Sequence, residues 1–278
     1  MISPSETSFI KESVRQGIRI DGRSNHQSRP LKIETSIINQ ASGSSRVTLG
    51  SSDVLVGVKL QVLDDPNEIG KIHCSVDCSP AAQLTKSTCS HYAQILNRSL
   101  NGPQAGIDNS ALIIIPGAVH WLVVVDVLVL DDGGNLLDCI FIAIKAALYN
   151  TRLAKVTVET TDGASDFTVS DEETEILKGR ELVPICITVS MIDDSTVIDT
   201  TPMEELCTSV TVSTIVNSKG MVCGVQKGLS GSVDPSVLVN MIQISQKIGL
   251  DNIRVVDEYL KEEEKKHLTG VHPSIGFR

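Results

Sequence analysis

The chain has 278 residues, 41% of them hydrophobic and 21% charged, with a net charge of −10 at pH 7. This length and composition predict a folded protein of one large domain or two small ones. The acidic balance argues against a free-standing nucleic-acid binder, because phosphate contacts need clustered lysine and arginine, although partner subunits could supply a basic surface jointly. Seven cysteines, mostly in apolar runs, predict reduced thiols in an intracellular protein.

Neither secretion nor membrane insertion is expected. The first 17 residues lack the apolar core of a signal peptide. The apolar run at residues 121–130 is too short to cross a bilayer and has Asp126 inside it. We therefore expect a soluble protein without a membrane partner.

Residues 1–28 are predicted to form an N-terminal helix and arm. The helix spans residues 3–17 and begins at Ser3 and Pro4, a favourable start for a helix. Its apolar stripe is predicted to contain Phe9, Ile10, Val14 and Ile18. The sequence RIDGR at residues 19–23 follows as a turn.

Residues 29–165 have alternating and apolar patterns that predict a strand-rich first half. The predicted strands are residues 31–38, 46–49, 53–62, 71–78, 112–115, 119–130 and 155–160. A helix begins near Thr85 and ends before Gly102, and a second, apolar helix covers residues 136–150. Between the last long strand and that second helix lies a turn, residues 131–135.

Residues 166–254 repeat this organisation, and residues 255–278 are predicted to be a charged C-terminal tail. The predicted strands are residues 184–192, 196–198, 209–216 and 221–226. Acidic residues 170–180 are predicted to be a surface loop or short helix. A helix from Pro235 should end at Lys247, stopped by Gly249. Residues 261–266 are expected to be solvated helix, followed by disorder. The whole pattern predicts an α+β fold.

A cluster of histidine and cysteine residues raises the possibility of a metal site. It contains His73, Cys74, Cys78, Cys89 and His91. Structural zinc sites usually show paired CxxC spacings, and strand alternation places His73 on the face opposite Cys74 and Cys78. Buried thiols are the favoured interpretation, and we predict neither a metal nor a cofactor.

The turn at residues 131–135 is the other candidate for chemistry. Carboxylates of Asp131 and Asp132 would repel a phosphate; they could hold Mg²⁺, but capping the following helix is favoured. The glycine-rich loop at residues 227–232 lacks the phosphate-binding patterns, and the chain has no GxSxG nucleophile elbow. Residue chemistry alone thus predicts no catalytic centre.

Several stretches, in order, resemble the ribonuclease PH family over residues 15–250. They are RIDGR at residues 19–23, ASGSSRV at residues 41–47 through Gly50, the strand-turn-helix at residues 126–150, Val183-Pro184, and KGLSGSVDP at residues 227–235. The resemblance implies a ribosomal protein S5 domain 2-like fold with two βαβα-type halves. It also implies a hexameric ring with a central channel for single-stranded RNA.

Active members of this family cleave RNA from its 3′ end with phosphate, and this chain departs from their pattern. Their acidic turn reads roughly Asp-x-Gly-Thr-Arg, and the arginine binds phosphate; Leu136 stands at that position here. The aspartate that precedes their Val-Pro pair corresponds to Leu182, with Glu181 one residue away. A further arginine corresponds to Thr88. The departures resemble the non-catalytic ring subunits of the RNA exosome and imply a chain with no catalytic residues.

The resemblance implies a ring subunit that supports 3′-to-5′ processing and degradation of RNA, including rRNA, in nucleus, nucleolus and cytoplasm. Its implied partners are other ribonuclease PH-like exosome subunits, cap subunits with RNA-binding domains, and single-stranded RNA in the channel. Arg98 is the implied RNA contact, and Lys86 is added because it lies at the same helix's start.

Two alternatives stay open. One is an active phosphate-dependent 3′-5′ exoribonuclease that uses Glu181 or Asp194 as its acid and a cation from Lys145 or a neighbouring chain. The other is a pure protein-interaction module without RNA contact.

Overall fold

The computed structural model describes residues 2–64, 71–105, 107, 109–161, 164–229 and 231–268. The helices are α1 (Pro4–Arg15), α2 (Lys86–Leu100), α3 (Leu136–Asn150), α4 (Pro202–Glu205) and α5 (Pro235–Leu268). The strands of the first half are β1 (Leu31–Thr35), β2 (Gly43–Leu49), β3 (Ser52–Asp64), β4 (Ile72–Cys78), β5 (Ile113–Ile115) and β6 (Val119–Asp131). The later strands are β7 (Arg152–Thr161), β8 (Ala164–Ile176), β9 (Ile185–Ile192), β10 (Ser195–Ile198), β11 (Val210–Val216) and β12 (Val222–Gly228).

Two sheets and a separate hairpin contain these strands. The first sheet has the order β1-β2-β3-β6-β4, with β5 paired to β6; β4 runs parallel to β6 and the other pairs are antiparallel. The second sheet, β10-β9-β11-β12, is antiparallel throughout, and β7 and β8 form a two-stranded hairpin. The α+β prediction is confirmed.

Helix α3 forms the centre of the core. It contacts β2, β3 and β6 of the first sheet and β9 of the second, and it also contacts α5. Every residue from Leu136 to Tyr149 is buried. A helix covered on all sides has no polar face, which is why this segment is apolar nearly all round.

The predicted apolar stripe of α1 is partly wrong. Ser3 and Glu6 form a capping box at the predicted start, and Ile10 and Val14 are buried. Phe9 is 63% exposed and Ile18 is 61% exposed. Phe9 lies one residue off the buried stripe, and Ile18 follows the end of the helix.

The predicted loop or short helix at residues 170–180 is also wrong. Residues up to Ile176 belong to β8, which pairs with β7, and only Arg180–Leu182 form a short 3-10 turn. The side chains of Glu173 and Glu175 are exposed, and Glu173 pairs with Lys155 across the hairpin. A two-stranded hairpin exposes enough surface for carboxylates, so acidity did not exclude a strand.

Helix α5 continues far beyond the predicted end at Lys247. Gly249 does not stop it: the residue lies inside the helix, and a Cβ there would make ordinary van der Waals contact, at 3.5 Å, with Ile187 and Val216 of the second sheet. Farther along, Val256 and Leu260 are buried in the core. The predicted tail is therefore wrong where Val256 and Leu260 join the core, whereas the solvated helix predicted at residues 261–266 is confirmed, because these residues are helical and exposed or half-buried. Residues 269–278 lie outside the described part.

Smaller differences concern the loops. Residue 112 belongs to a 3-10 turn that precedes β5, rather than to the strand. Strand β3 continues to Asp64, two residues beyond its predicted end, and residues 65–70 lie outside the described part of the chain. Among the described helices, none is long and apolar enough to span a membrane.

Candidate functional site

The turn between β6 and α3 is shaped by backbone constraints. Gly134 has φ +83°, and a Cβ at this residue would lie 2.6 Å from the carbonyl oxygen of Thr200, so only glycine fits. Asp132 Oδ1 accepts a hydrogen bond from the Gly134 N–H at 3.1 Å. Asn135 is the N-cap residue, with φ 52°, and its side chain makes no capping bond. The expected capping of α3 by Asp131 and Asp132 is therefore wrong.

Arg29 and Ser52 hold the turn in place. Arg29 donates from Nη1 to the carbonyl of Gly133 at 2.5 Å and from Nη2 to that of Gly134 at 2.9 Å. Ser52 Oγ accepts from the Gly133 N–H and donates to the Gly134 carbonyl. Arg29 also forms an ion pair with Asp199 at 2.7 Å. The guanidinium beside the turn is thus engaged by a carboxylate and two carbonyls.

The N-terminal arm is fastened to the second half by two more arginines. Arg19, with a fully buried side chain, donates from Nε to Glu204 Oε1 at 2.8 Å. Arg23 pairs with Asp21 at 2.7 Å and Asp199 at 3.1 Å. Sequence reasoning predicted a turn here but missed that its cations are buried. Their partners in the second half, Glu204 and Asp199, are more than 170 residues away along the chain.

Asp138, in the first turn of α3, is buried behind the turn. Its Oδ2 accepts hydrogen bonds from the Thr188 N–H at 2.8 Å and from Asn135 Nδ2 at 3.0 Å. Its Oδ1 accepts from Thr188 Oγ1 at 2.7 Å. Burial raises the pKa of Asp138 to about 6, although these hydrogen bonds act in the opposite direction.

In front of the turn lies an open cleft of about 370 Å³. One wall is formed by α2, through His91, Tyr92 and Ile95. The opposite wall is the second sheet, which contributes Thr188 and Ser190 from β9, and the floor is the start of α3. The cleft therefore joins the two halves at the position where the resemblance places the phosphate site.

The electrostatic character of this cleft is negative. Glu205 lines it and accepts from the Asn135 N–H at 2.7 Å; burial raises the pKa of Glu205, and the charge of Asp132 raises it further. Burial, aided by both carboxylates, raises the pKa of Tyr92 to about 12. Within the described residues no lysine or arginine forms an ion pair with Asp132, Asp138 or Glu205. Such a lining opposes a phosphate.

Leu136 occupies the position at which the resemblance expects a phosphate-binding arginine. It is 4% exposed, packs in the core and forms part of the cleft floor. At the other aligned position, Thr88 lies in the first turn of α2, where its Oγ1 lies 2.8 Å from Thr85 Oγ1. Thr85 caps that helix.

The structure separates Leu182 from the cleft. Lys145 donates hydrogen bonds to the carbonyls of Glu181 and Val183, which flank Leu182. Lys145 lies nine residues beyond Leu136 on α3, roughly 13 Å along the helix axis. Leu182 and Leu136 therefore do not share one site, and the identity of residue 182 carries no argument about the cleft.

The groups proposed for an active enzyme are also separated from the cleft. Lys145 is buried and paired with Asp257 at 3.0 Å, and burial lowers the pKa of Lys145. Glu181 is exposed beside the far part of α3, and Asp194 is exposed in the turn between β9 and β10. None of the three lines the cleft.

The two predicted RNA-contacting residues are both exposed on α2, but they do not converge. Lys86 is the first residue of the helix and Arg98 lies in its last turn, which separates them by roughly 18 Å along the axis. Arg98 Nη2 donates to Gln226 Oε1 at 3.1 Å, and Gln226 lines the cleft. Arg98 thus lies at the cleft rim.

The histidine and cysteine cluster is dispersed by the fold. Cys74 is buried and His73 exposed, as strand alternation predicted. Burial raises the pKa of the Cys74 thiol to about 12. His91 lines the cleft, whereas Cys89 is buried in the core. The described residues contain no group of three or more histidine, cysteine, aspartate or glutamate side chains arranged for a metal ion.

Comparison with known proteins gives a consistent set of relatives. Residues 27–154 match domain 1 of the 3′ exoribonuclease family, and residues 183–248 match domain 2. The chain is 33% identical over 319 residues to RRP42 of Dictyostelium discoideum, provisionally named an exosome complex exonuclease; the match covers 94% of this chain and 98% of the relative. It is 33% identical over 285 residues to the exosome complex component Rrp42 of Sulfurisphaera tokodaii, covering 96% of this chain and 98% of the relative.

Solved structures show the same relationship. An archaeal exosome core chain superposes with a TM-score of 0.77 at 25% identity, covering 91% of this chain and 96% of that one. A chain of the Archaeoglobus fulgidus exosome with RNA bound to the active site superposes with a TM-score of 0.77 at 26% identity, covering 92% and 97%.

Proposed function

The chain belongs to the 3′ exoribonuclease family, and we propose that it is a non-catalytic subunit of an RNA exosome ring. In this role it pairs with other ribonuclease PH-like subunits, and cap subunits with RNA-binding domains cover the ring. It forms part of the channel through which single-stranded RNA, including rRNA, reaches a nuclease on another chain. The relatives named as exosome components support this assignment.

The observation that carries the absence of catalysis is the chemistry of the cleft. Leu136 cannot hold an oxyanion, and Arg29 is engaged by Asp199 and two carbonyls. The remaining ionisable groups at the turn, Asp132 and Glu205, repel a phosphate. Loss of one charged transition-state contact slows a reaction roughly a hundredfold or more. Among the described residues the cleft has no cation at its floor, and Arg98, the arginine at its rim, donates to Gln226. A floor without a cation, beside two carboxylates, supports no phosphorolysis.

The direct test is an assay of the purified chain with a 5′-labelled single-stranded RNA, inorganic phosphate and Mg²⁺. We expect neither 3′ shortening nor release of nucleoside diphosphates. The same assay on the reconstituted ring should show degradation only when an active subunit is present. Nucleoside diphosphates from the isolated chain, lost in a Glu205→Gln variant, would refute the proposal.

A second candidate function is phosphate-dependent exoribonuclease activity, favoured by the name of the Dictyostelium relative. It requires a cation from a neighbouring chain at the cleft, because Lys145 is committed to Asp257 at the far part of α3. The assay separates the two candidates. If the ring still degrades RNA after every other ribonuclease PH-like subunit has been inactivated, the exoribonuclease candidate is favoured.

RNA contact through α2 is part of the proposal. Arg98 is exposed and basic, and an exposed arginine that binds one phosphate contributes a salt-dependent term to affinity. In a reconstituted ring, Arg98→Ala should reduce ultraviolet crosslinking of RNA to α2. It should also lower the slope of log K against log salt by roughly 0.7.

The matched control for that test is Arg254→Ala, an exposed arginine on α5 paired with Asp251. It should leave both crosslinking and slope unchanged. Equal crosslinking of the Arg98 variant and the unmodified ring would favour the interaction module without RNA contact. Lys86→Ala tests the second predicted RNA contact on α2 by the same two measurements.

We also propose that the chain works in nucleus, nucleolus and cytoplasm, because rRNA processing and general RNA degradation occupy these compartments. Fluorescence microscopy of a tagged chain at native expression level tests this. Exclusion from the nucleus would contradict it.

A further inference from the structure

One carboxylate, Glu205, lines the cleft, and Asp132 lies near it at the turn; among the described residues neither has an ion-pair partner. The arginines closest to the turn are already in ion pairs. The pairs join Arg19, Arg23 and Arg29 to Asp21, Asp199 and Glu204. Glu205 and Asp132 remain, and in the described part of the chain neither forms an ion pair with a basic side chain. The cleft that in active relatives would take an anion is therefore suited to a cation.

A second, independent observation points to a ligand. Ser190, on β9, is 1% exposed and lines the cleft, and its Oγ has no hydrogen-bond partner among the described residues. Buried hydroxyl groups without a partner are rare in folded proteins. A ligand that donates a hydrogen bond into the cleft would satisfy this oxygen.

The shape and chemistry of the lining favour a guanidinium over an ammonium group. The acceptors come from two elements: Glu205 from α4, and the hydroxyls of Thr188 and Ser190 from β9. A guanidinium offers five N–H donors in a planar fork, whereas an ammonium offers three from one point. The ring of Tyr92, half-buried in the wall, provides a surface on which a planar cation can stack.

The rim indicates that the cation is carried by a polypeptide. Leu229 lines the cleft and is 56% exposed, which gives the entrance an apolar border. The rim also already engages one guanidinium, because Arg98 donates to Gln226. We propose that this cleft binds an arginine side chain of another polypeptide. The inference concerns the cleft whose lining carries the proposed absence of catalysis, and it does not require that Arg98 contact RNA.

The test is a titration of the full-length chain, labelled at isoleucine and leucine methyl groups, with a capped Gly-Arg-Gly peptide followed by NMR. Methyl signals of Ile95, Leu136 and Leu229 should shift and saturate. Capped Gly-Lys-Gly should bind more weakly, and free L-arginine should bind more weakly than the capped arginine peptide. Inorganic phosphate should produce no shifts at these methyl groups.

Two variants locate the site and one serves as control. Glu205→Gln keeps the acceptor for the Asn135 N–H but removes the charge. It should weaken binding of the arginine peptide roughly tenfold. Ser190→Ala should weaken binding of this peptide to a smaller extent. Glu181→Gln, at an exposed carboxylate elsewhere, should leave the binding unchanged. No saturable shifts, equal binding by the Glu205 variant, or shifts with phosphate would each overturn the inference. Equal binding of free L-arginine would overturn the polypeptide source.

Discussion

Asp138 provides a sharp test of the electrostatics behind the turn, through replacement by asparagine. The carboxylate accepts hydrogen bonds at Oδ2 from the Thr188 N–H and Asn135, and at Oδ1 from the Thr188 hydroxyl. An asparagine can place its oxygen at the Oδ2 position and its NH₂ at the Oδ1 position. The Thr188 hydroxyl then accepts from that NH₂ and donates to Ser213, which lies 2.9 Å away. The substitution therefore removes the charge while keeping the hydrogen bonds.

The magnitude follows from the pKa of Asp138, raised from 3.8 to about 6. A raised pKa means that the folded state binds the proton more tightly than the unfolded state. The contribution of Asp138 to stability is therefore fully present below pH 3.8 and is lost as pH rises through 6. For a rise in pKa from 3.8 to about 6, the total loss of unfolding free energy is about 3 kcal/mol. About 2 kcal/mol of it falls between pH 4.5 and pH 7.5.

The assay is urea unfolding of both proteins at several pH values across that interval. The unfolding free energy of Asp138→Asn relative to the unmodified protein should rise with pH by about 2 kcal/mol. Asp251→Asn, at an exposed carboxylate, should track the unmodified protein. A constant difference between the Asp138 variant and the unmodified protein would show that the carboxyl group titrates alike in both states, and would refute the argument.

Two further predictions concern the turn and the arm. Gly134→Ala should lower the unfolding free energy by more than about 1 kcal/mol, because strain and a clash with backbone combine. Gly117→Ala, at φ +77° with nothing within 4 Å, measures the strain alone and should cost less. Arg19→Ala leaves Glu204 buried without its partner and should cost about 3–5 kcal/mol. Lys32→Ala, in an exposed ion pair, should cost less than about 1 kcal/mol. Equal losses within either pair, measured by urea unfolding, would contradict the reasoning.

Local patterns predicted most of the elements. Alternation identified β4, with Cys74 inward and His73 outward, because side chains of a strand alternate between its faces. The prediction was wrong where it rested on residue type alone, without the neighbouring structure. Acidic residues 170–180 were assigned to a loop or short helix although most lie in β8, and Gly249 was taken as a helix end although it lies inside α5. Both errors depend on tertiary contacts: residues 170–176 belong to β8, which pairs with β7, and Gly249 lies against the second sheet.

The candidate site divides in the same way. The turn and the buried Leu136 could be predicted from the chain, because a strand, two glycines and an apolar helix follow one another there. The arginines of the arm, Asp199 and Glu205 could not, because their partners lie far away in the sequence. The family resemblance associated Leu182 with the site, and the fold places it beside the far part of α3.

The sequence by itself determined most of the secondary structure, the apolar centre at α3, and the family resemblance that its ordered stretches carry. Only the tertiary structure decided which charges meet, and therefore that the cleft is acidic. The reason is physical: an apolar residue is buried almost wherever a core forms, so its pattern is readable locally. The effect of a charged residue depends on the distance to its partners and on burial, and both are set by the folded chain.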